Sequence, residues 1–238
     1  MSGISRRLAA EAIGSAALAA IVIGSGVMAE RLAGGNAGVA LLANTLATAA
    51  GLYALIVVFA PLSGAHFNPA VTLVFALRRE ISLRDACAYV AAQIAGMLCG
   101  VVLAHAMFEL PWWLPSTKPR SGIAQALSEA VATFMLLTAI LGTRRRATES
   151  VAAAVALTIA AGYWFTASTS FANPAITLAR ALSDTFAGIR PVDVPLFVIA
   201  QFAGALLASA CASRLFDDSA RSAPSASAHL GKYAGPPS

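Results

Sequence analysis

The sequence predicts an all-α membrane protein: a bundle of six transmembrane helices plus two re-entrant half-helices, arranged as an inverted repeat. Of its 238 residues, 58% are hydrophobic and only 11% charged, whereas soluble domains carry about a quarter charged residues. The sequence holds six apolar stretches, and its length allows roughly six spans at about 20 residues each. The tripeptide Asn-Pro-Ala occurs twice, at Asn68-Pro69-Ala70 and Asn173-Pro174-Ala175. The fifteen-residue frames around them, 63–77 and 168–182, share eight identical positions. Identity at that level marks an internal duplication.

Each element can be justified in turn. The first stretch, 8–28, would be about 31 Å long as a helix. It exceeds a signal-peptide core and contains Glu11, which a cleaved signal would avoid, so it is read as a retained span. The other spans are expected at 38–60, 83–107, 123–141, 151–166 and 194–215. The half-helices fall between the second and third spans, at 68–77, and between the fifth and sixth, at 173–182. In both, Asn is a favoured N-cap, Pro at the first helical position loses no needed donor, and a short apolar run follows. Ten residues rise only about 15 Å, half the hydrocarbon core. A segment that stops there is tolerated only where protein or a water-filled cavity meets its open backbone groups.

Charge orients the bundle. With a cytoplasmic N-terminus, Arg6, Arg7, Arg78, Arg79, Arg84, Arg144, Arg145, Arg146, Arg214, Arg221 and Lys232 lie inside. Arg31, Lys118, Arg120, Arg180 and Arg190 lie outside, so eleven basic residues stand against five. Cationic side chains are retained on cytoplasmic loops, so both termini are expected in the cytoplasm of a cell with the protein in its plasma (inner) membrane. The same rule accounts for the net charge of +5, and the expected partner is the lipid bilayer, not nucleic acid. Trp112 and Trp113 suit an outer interfacial belt. Residues 1–216 read as one membrane domain with repeat halves 8–108 and 123–216, and 217–238, rich in Ser, Ala, Pro and Gly, as a disordered cytoplasmic tail. Cys87, Cys99 and Cys211 are odd in number and lack metal-ligand spacing, so they are expected as small buried hydrophobes, with no metal or cofactor.

Further echoes strengthen the repeat. Ala10-Glu11-Ala12 in the first span matches Ser128-Glu129-Ala130 in the fourth. Ala92-Gln93-Ile94-Ala95-Gly96 in the third matches Ala200-Gln201-Phe202-Ala203-Gly204 in the sixth. Three spans per half require the halves to be inverted, and inverted repeats with broken helices are a transport architecture.

These motifs resemble the aquaporin (major intrinsic protein) family over 11–215. The stretch 163–175 is similar to a bacterial aquaglyceroporin-like branch associated with arsenic resistance. The resemblance implies a right-handed bundle with a pore in each protomer of a homotetramer. It makes Asn68 and Asn173 pore-lining donors to a passing oxygen. The two half-helix N-termini, each with about half a positive charge, would oppose cations. Glu11 and Glu129 are intramembrane carboxylates, functional suspects by default. The family pattern makes them acceptors for backbone donors of the half-helix loops, with His66 bracing a loop or lining the cytoplasmic vestibule.

The family's constriction positions carry over by spacing to Thr48, twenty residues before Asn68, and to Ala161 and Ser170, twelve and three before Asn173. The fourth is Ile176, where most members have arginine. Arg180 follows four residues later, and spacing alone does not make it a substitute. The set describes a wide, uncharged constriction. The resemblance then implies a passive channel for glycerol-like polyols, arsenous acid and related neutral hydroxides, together with water. A coupled secondary transporter is the alternative, distinguished by gradient-driven accumulation. No metal cluster, nucleophile–base arrangement or polar catalytic domain points to an enzyme.

Overall fold

The computed structural model describes residues 3–217. Its helices are α1 Gly3–Leu32, α2 Ala37–Ser63, α3 Pro69–Leu77, α4 Leu83–Met107, α5 Ile123–Thr143, α6 Thr148–Phe165, α7 Pro174–Arg180 and α8 Val194–Ala212. A 3-10 turn, Pro191–Asp193, leads into α8, and a π-turn, Ser213–Asp217, follows it. No strand forms among the described residues. The six long helices are long and apolar enough to span a membrane, and α3 and α7 are the half-helices. All but the first residue of the predicted tail lie outside the described residues.

Both half-helices start as expected. Asn68 and Asn173 are extended N-caps, with φ of −154° and −156°, and a proline opens each helix. Boundaries shift by up to a few residues, and two of the shifts have a clear cause. Helix α1 is 30 residues long, or about 45 Å, because backbone hydrogen bonding continues past the apolar core into the charged ends at Arg6, Arg7, Glu30 and Arg31. Helix α7 ends at Arg180 rather than near 182, because its last carbonyls are claimed by loops. Ala181 O accepts from Ser116 N at 2.9 Å, and Arg180 O accepts from Ser183 N and Ile189 N.

Packing repeats the duplication in three dimensions. Helix α1 lies against α2 and α4, α5 lies against α6 and α8, and α2 meets α6 between the halves. The α1–α4 and α5–α8 crossings close on the repeated glycines. A Cβ on Gly96 would stand 2.2 Å from Ala12 O, and one on Gly204 would stand 2.1 Å from Ala130 O. Only a residue without a side chain allows these backbones so near, the small-residue helix contact of membrane bundles. The outward faces are apolar, as at Leu46, Leu103 and Ile199. That surface is stable against lipid and would not be against water.

The cysteine expectation is corrected. Cys87 and Cys99 are exposed and Cys211 is intermediate, all as free thiols. In a bilayer the outside of a helix is as apolar as its inside, so a small hydrophobe in a span does not report which way it faces.

Candidate functional site

The half-helices meet where their capping asparagines cross. Asn68 Oδ1 accepts from Ala70 N at 2.9 Å, and Asn173 Oδ1 accepts from Ala175 N at 3.0 Å. Each side-chain amide then reaches the opposite half. Asn68 Nδ2 donates to Ala172 O and Asn173 Nδ2 donates to Phe67 O, both at 2.8 Å. An amide nitrogen carries two hydrogens, so each asparagine keeps one N–H for the cavity that both line.

The carbonyls that accept these bonds belong to residues held at left-handed φ, 46° for Phe67 and 50° for Ala172. Such a conformation costs about 1–2 kcal/mol for a residue with a Cβ. It is held from the other side by the two buried glutamates. Glu11 accepts from His66 N at 3.0 Å and Ser63 Oγ at 2.6 Å through Oε1, and from Phe67 N at 2.7 Å and Gln93 Nε2 at 2.8 Å through Oε2. Glu129 accepts from Phe171 N and Ala172 N, each at 2.9 Å, and from Gln201 Nε2 at 2.5 Å. Gln93 also donates to Thr72, and Gln201 to Thr177, the repeat-related threonines of α3 and α7. His66 lies beside this network, its Nδ1 3.0 Å from Thr72 Oγ1 and its ring packed between Phe75 and Tyr89.

A single cavity passes this point. It extends from Phe75 and Val151, past His66, Asn68 and Asn173, to Thr48, Ser170, Ile176 and Arg180. Aliphatic side chains form most of its remaining wall. The structure thus brings Asn68, Asn173, His66, Thr48, Ser170 and Ile176 to one lumen. It does not bring Ala161, which is exposed on α6, and Ile159 lines the cavity instead. At 100° per residue these two positions are about 200° apart on the helix, so one cannot face the lumen when the other does. Gly162 turns toward Ser170, whose Oγ would lie 2.4 Å from a Cβ there.

The lumen as a whole is not free of charge, because Arg180 also lines it. Spacing placed Arg180 four residues after Ile176 but did not show which way its side chain faces. Tyr163 was missed. Its Oη donates to Thr48 Oγ1 at 3.2 Å and fixes that hydroxyl from α6.

The outer rim is tied by the loop between α4 and α5. Arg120 is buried; its backbone N donates to Asp193, its Nε to Gly188 O at 2.8 Å and its Nη1 to Ser168 O at 3.0 Å. Burial lowers its guanidinium to about 10. Lys118 donates from Nζ to Phe186 O at 2.6 Å. Burial first, then the charges of Arg120 and Arg180, bring its ammonium down to about 8. Among the described residues, no three His, Cys, Asp or Glu side chains gather as a metal site.

Six spans with two half-helices meeting across a lined cavity define a membrane channel. The chain belongs to the major intrinsic protein family, whose profile matches residues 2–149 and 118–234. It is 55% identical over 207 residues to the aquaglyceroporin AqpS of Rhizobium meliloti (strain 1021), covering 87% of this chain and 88% of that protein. It is 32% identical over 168 residues to the aquaporin NIP1-4 of Oryza sativa subsp. japonica, covering 67% and 60%. The fold matches the aquaglyceroporin of Plasmodium falciparum with a TM-score of 0.69, over 92% of this chain and all of that one, at 21% identity. Proteins of this family are channels and not enzymes, and this multi-pass membrane protein is accordingly a passive channel for small solutes.

Proposed function

We propose that the channel passes small uncharged polar solutes: glycerol-like polyols, neutral hydroxides such as arsenous acid, and water. The observation that carries this is the crossed asparagine pair, which leaves one amide donor from each half-helix facing a mostly aliphatic lumen. A neutral solute rich in oxygen acceptors exchanges part of its hydration for these donors and meets little else to hold it, so it moves on. A cation meets two helix N-termini with their positive ends toward the lumen and is opposed by both. The similarity to a protein named as an aquaglyceroporin supports the polyol class.

In this reading Glu11 and Glu129 brace the half-helix loops, and Thr48, Ser170 and Ile176 form the outer constriction. The protein acts as a homotetramer in the plasma (inner) membrane with both termini cytoplasmic. Swelling of proteoliposomes in water, glycerol, urea and arsenous acid, without any ion gradient, tests the proposal. Equilibration of neutral solutes is expected. Accumulation of a solute against its own gradient, driven by protons, would establish a coupled transporter instead.

A further inference from the structure

We propose that Arg180 is the specificity-determining cation of the outer half of the pore, presenting its terminal guanidinium nitrogens to the permeating solute one helical turn outward of Ile176. The inference rests on the channel reading above. Arg180 closes α7 and is only 2% exposed, yet it lines the same cavity as Thr48, Ser170 and Ile176. Four residues advance a helix by about 6 Å and turn it about 40° beyond a full circle. The side chain therefore stands over Ile176 along the direction of permeation.

Its seating leaves one end unmet. Nε donates to Ala187 O, and the guanidinium carbon lies 3.3 Å from the centre of the Phe171 ring. Among the described residues, Nη1 and Nη2 have no hydrogen-bond partner in the protein. Neither is among the occluded unpartnered atoms, and the residue lines the lumen. No carboxylate pairs with it, since the ion pairs of the described residues lie elsewhere. The Glu129 carboxylate is engaged by Phe171 N, Ala172 N and Gln201.

An unpaired buried cation persists only where something else supplies acceptors. Here that is water or solute in the lumen. Arg120 differs although it also touches the Phe171 ring. It is committed to loop carbonyls and does not line the cavity.

The consequence is a divided constriction. Ile176 and Ser170 leave the lumen without a fixed charge at their level, and the charge and donors stand further out. Solutes carrying hydroxyl or oxo acceptors can bind the Nη hydrogens as they shed water, and cations are turned back before reaching the asparagines.

The test compares Arg180→Met, Arg180→Gln and Arg180→Lys with wild type in proteoliposomes of matched protein content. Proton leak, potassium leak and the glycerol-to-water flux ratio are the readouts. Met and Gln should each raise cation leak about tenfold or more, whereas Lys should retain cation exclusion and, lacking the planar fork, lower the glycerol-to-water ratio. Gln keeps bulk and donors without charge, so it isolates the electrostatic part if Met does not assemble. Unchanged leak and ratio in assembled Met and Gln variants would overturn the proposal. So would a proportional loss of all fluxes, or failure of all three to assemble, since each would make Arg180 a structural seat only. Wild-type protein that passes no neutral solute would instead refute the channel reading itself.

Discussion

Replacing Glu11 by Ala withdraws the acceptor for four donors: His66 N, Phe67 N, Ser63 Oγ and Gln93 Nε2. Two of them have alternatives, because the Ser63 hydroxyl can rotate and Gln93 Nε2 keeps Thr72. The two backbone amides have none and become buried and unsatisfied. At about 1–3 kcal/mol for each orphaned donor, Glu11→Ala should cost about 2–6 kcal/mol. Glu11→Gln keeps one acceptor oxygen and turns an amide NH2 toward the other pair. If that NH2 faces Ser63, whose oxygen can accept, only His66 N is left without a partner. The expected cost is then about 1–3 kcal/mol, milder than Ala but not silent. Denaturant unfolding of the purified protein in detergent reads both values, and light scattering on reconstituted vesicles reads flux. An Ala variant as stable as wild type would refute the bracing argument. A Gln variant of wild-type stability that no longer conducts would point to a carboxylate that moves protons.

Asn68→Asp or Asn173→Asp should place a carboxylate between the half-helix ends. Reduced neutral flux or a new cation leak in inserted protein is expected, and unchanged selectivity in both would leave these side chains as caps only. Ile176→Arg should add a second cation about 6 Å inward of Arg180 and cut glycerol flux far more than water flux in paired swelling assays; no change would remove Ile176 from the constriction. Gly204→Ala would bring a Cβ to 2.1 Å from Ala130 O, so α8 must shift from α5; a lower unfolding midpoint in detergent is expected, and an unaltered one would argue against that close crossing. Lys118 bears on pH. Its folded value of about 8 lies below its ordinary 10.5, so the penalty for burying its charge is full below about pH 8 and is relieved as pH rises from about 8 to 10.5. Stability should therefore climb across that window in wild type and climb less in Lys118→Met, read from unfolding curves at successive pH values.

The sequence alone determined the architecture. Hydrocarbon thickness converts apolar run length into spans, and each repeated Asn-Pro start converts directly into a capped half-helix, so α2 to α8 begin within a few residues of their expected positions. The repeat echoes, read in the sequence only as signs of duplication, are joined in the fold. Glu11 with Gln93, and Glu129 with Gln201, are distant in sequence yet share hydrogen bonds in each half. What the tertiary structure decided was direction. Ala161 and the cysteines at 87 and 99 face outward, and lipid leaves no polar stripe to mark the outer face of a helix. In the sequence Arg180 is an outer basic residue four positions after Ile176, and spacing does not say which way it faces. Only the loop that supplies Ala187 O and the ring of Phe171 bury its stem where the residue lines the lumen. A span's length is a property of consecutive residues, whereas the side of a helix that meets the pore is set by neighbours that arrive from elsewhere in the chain.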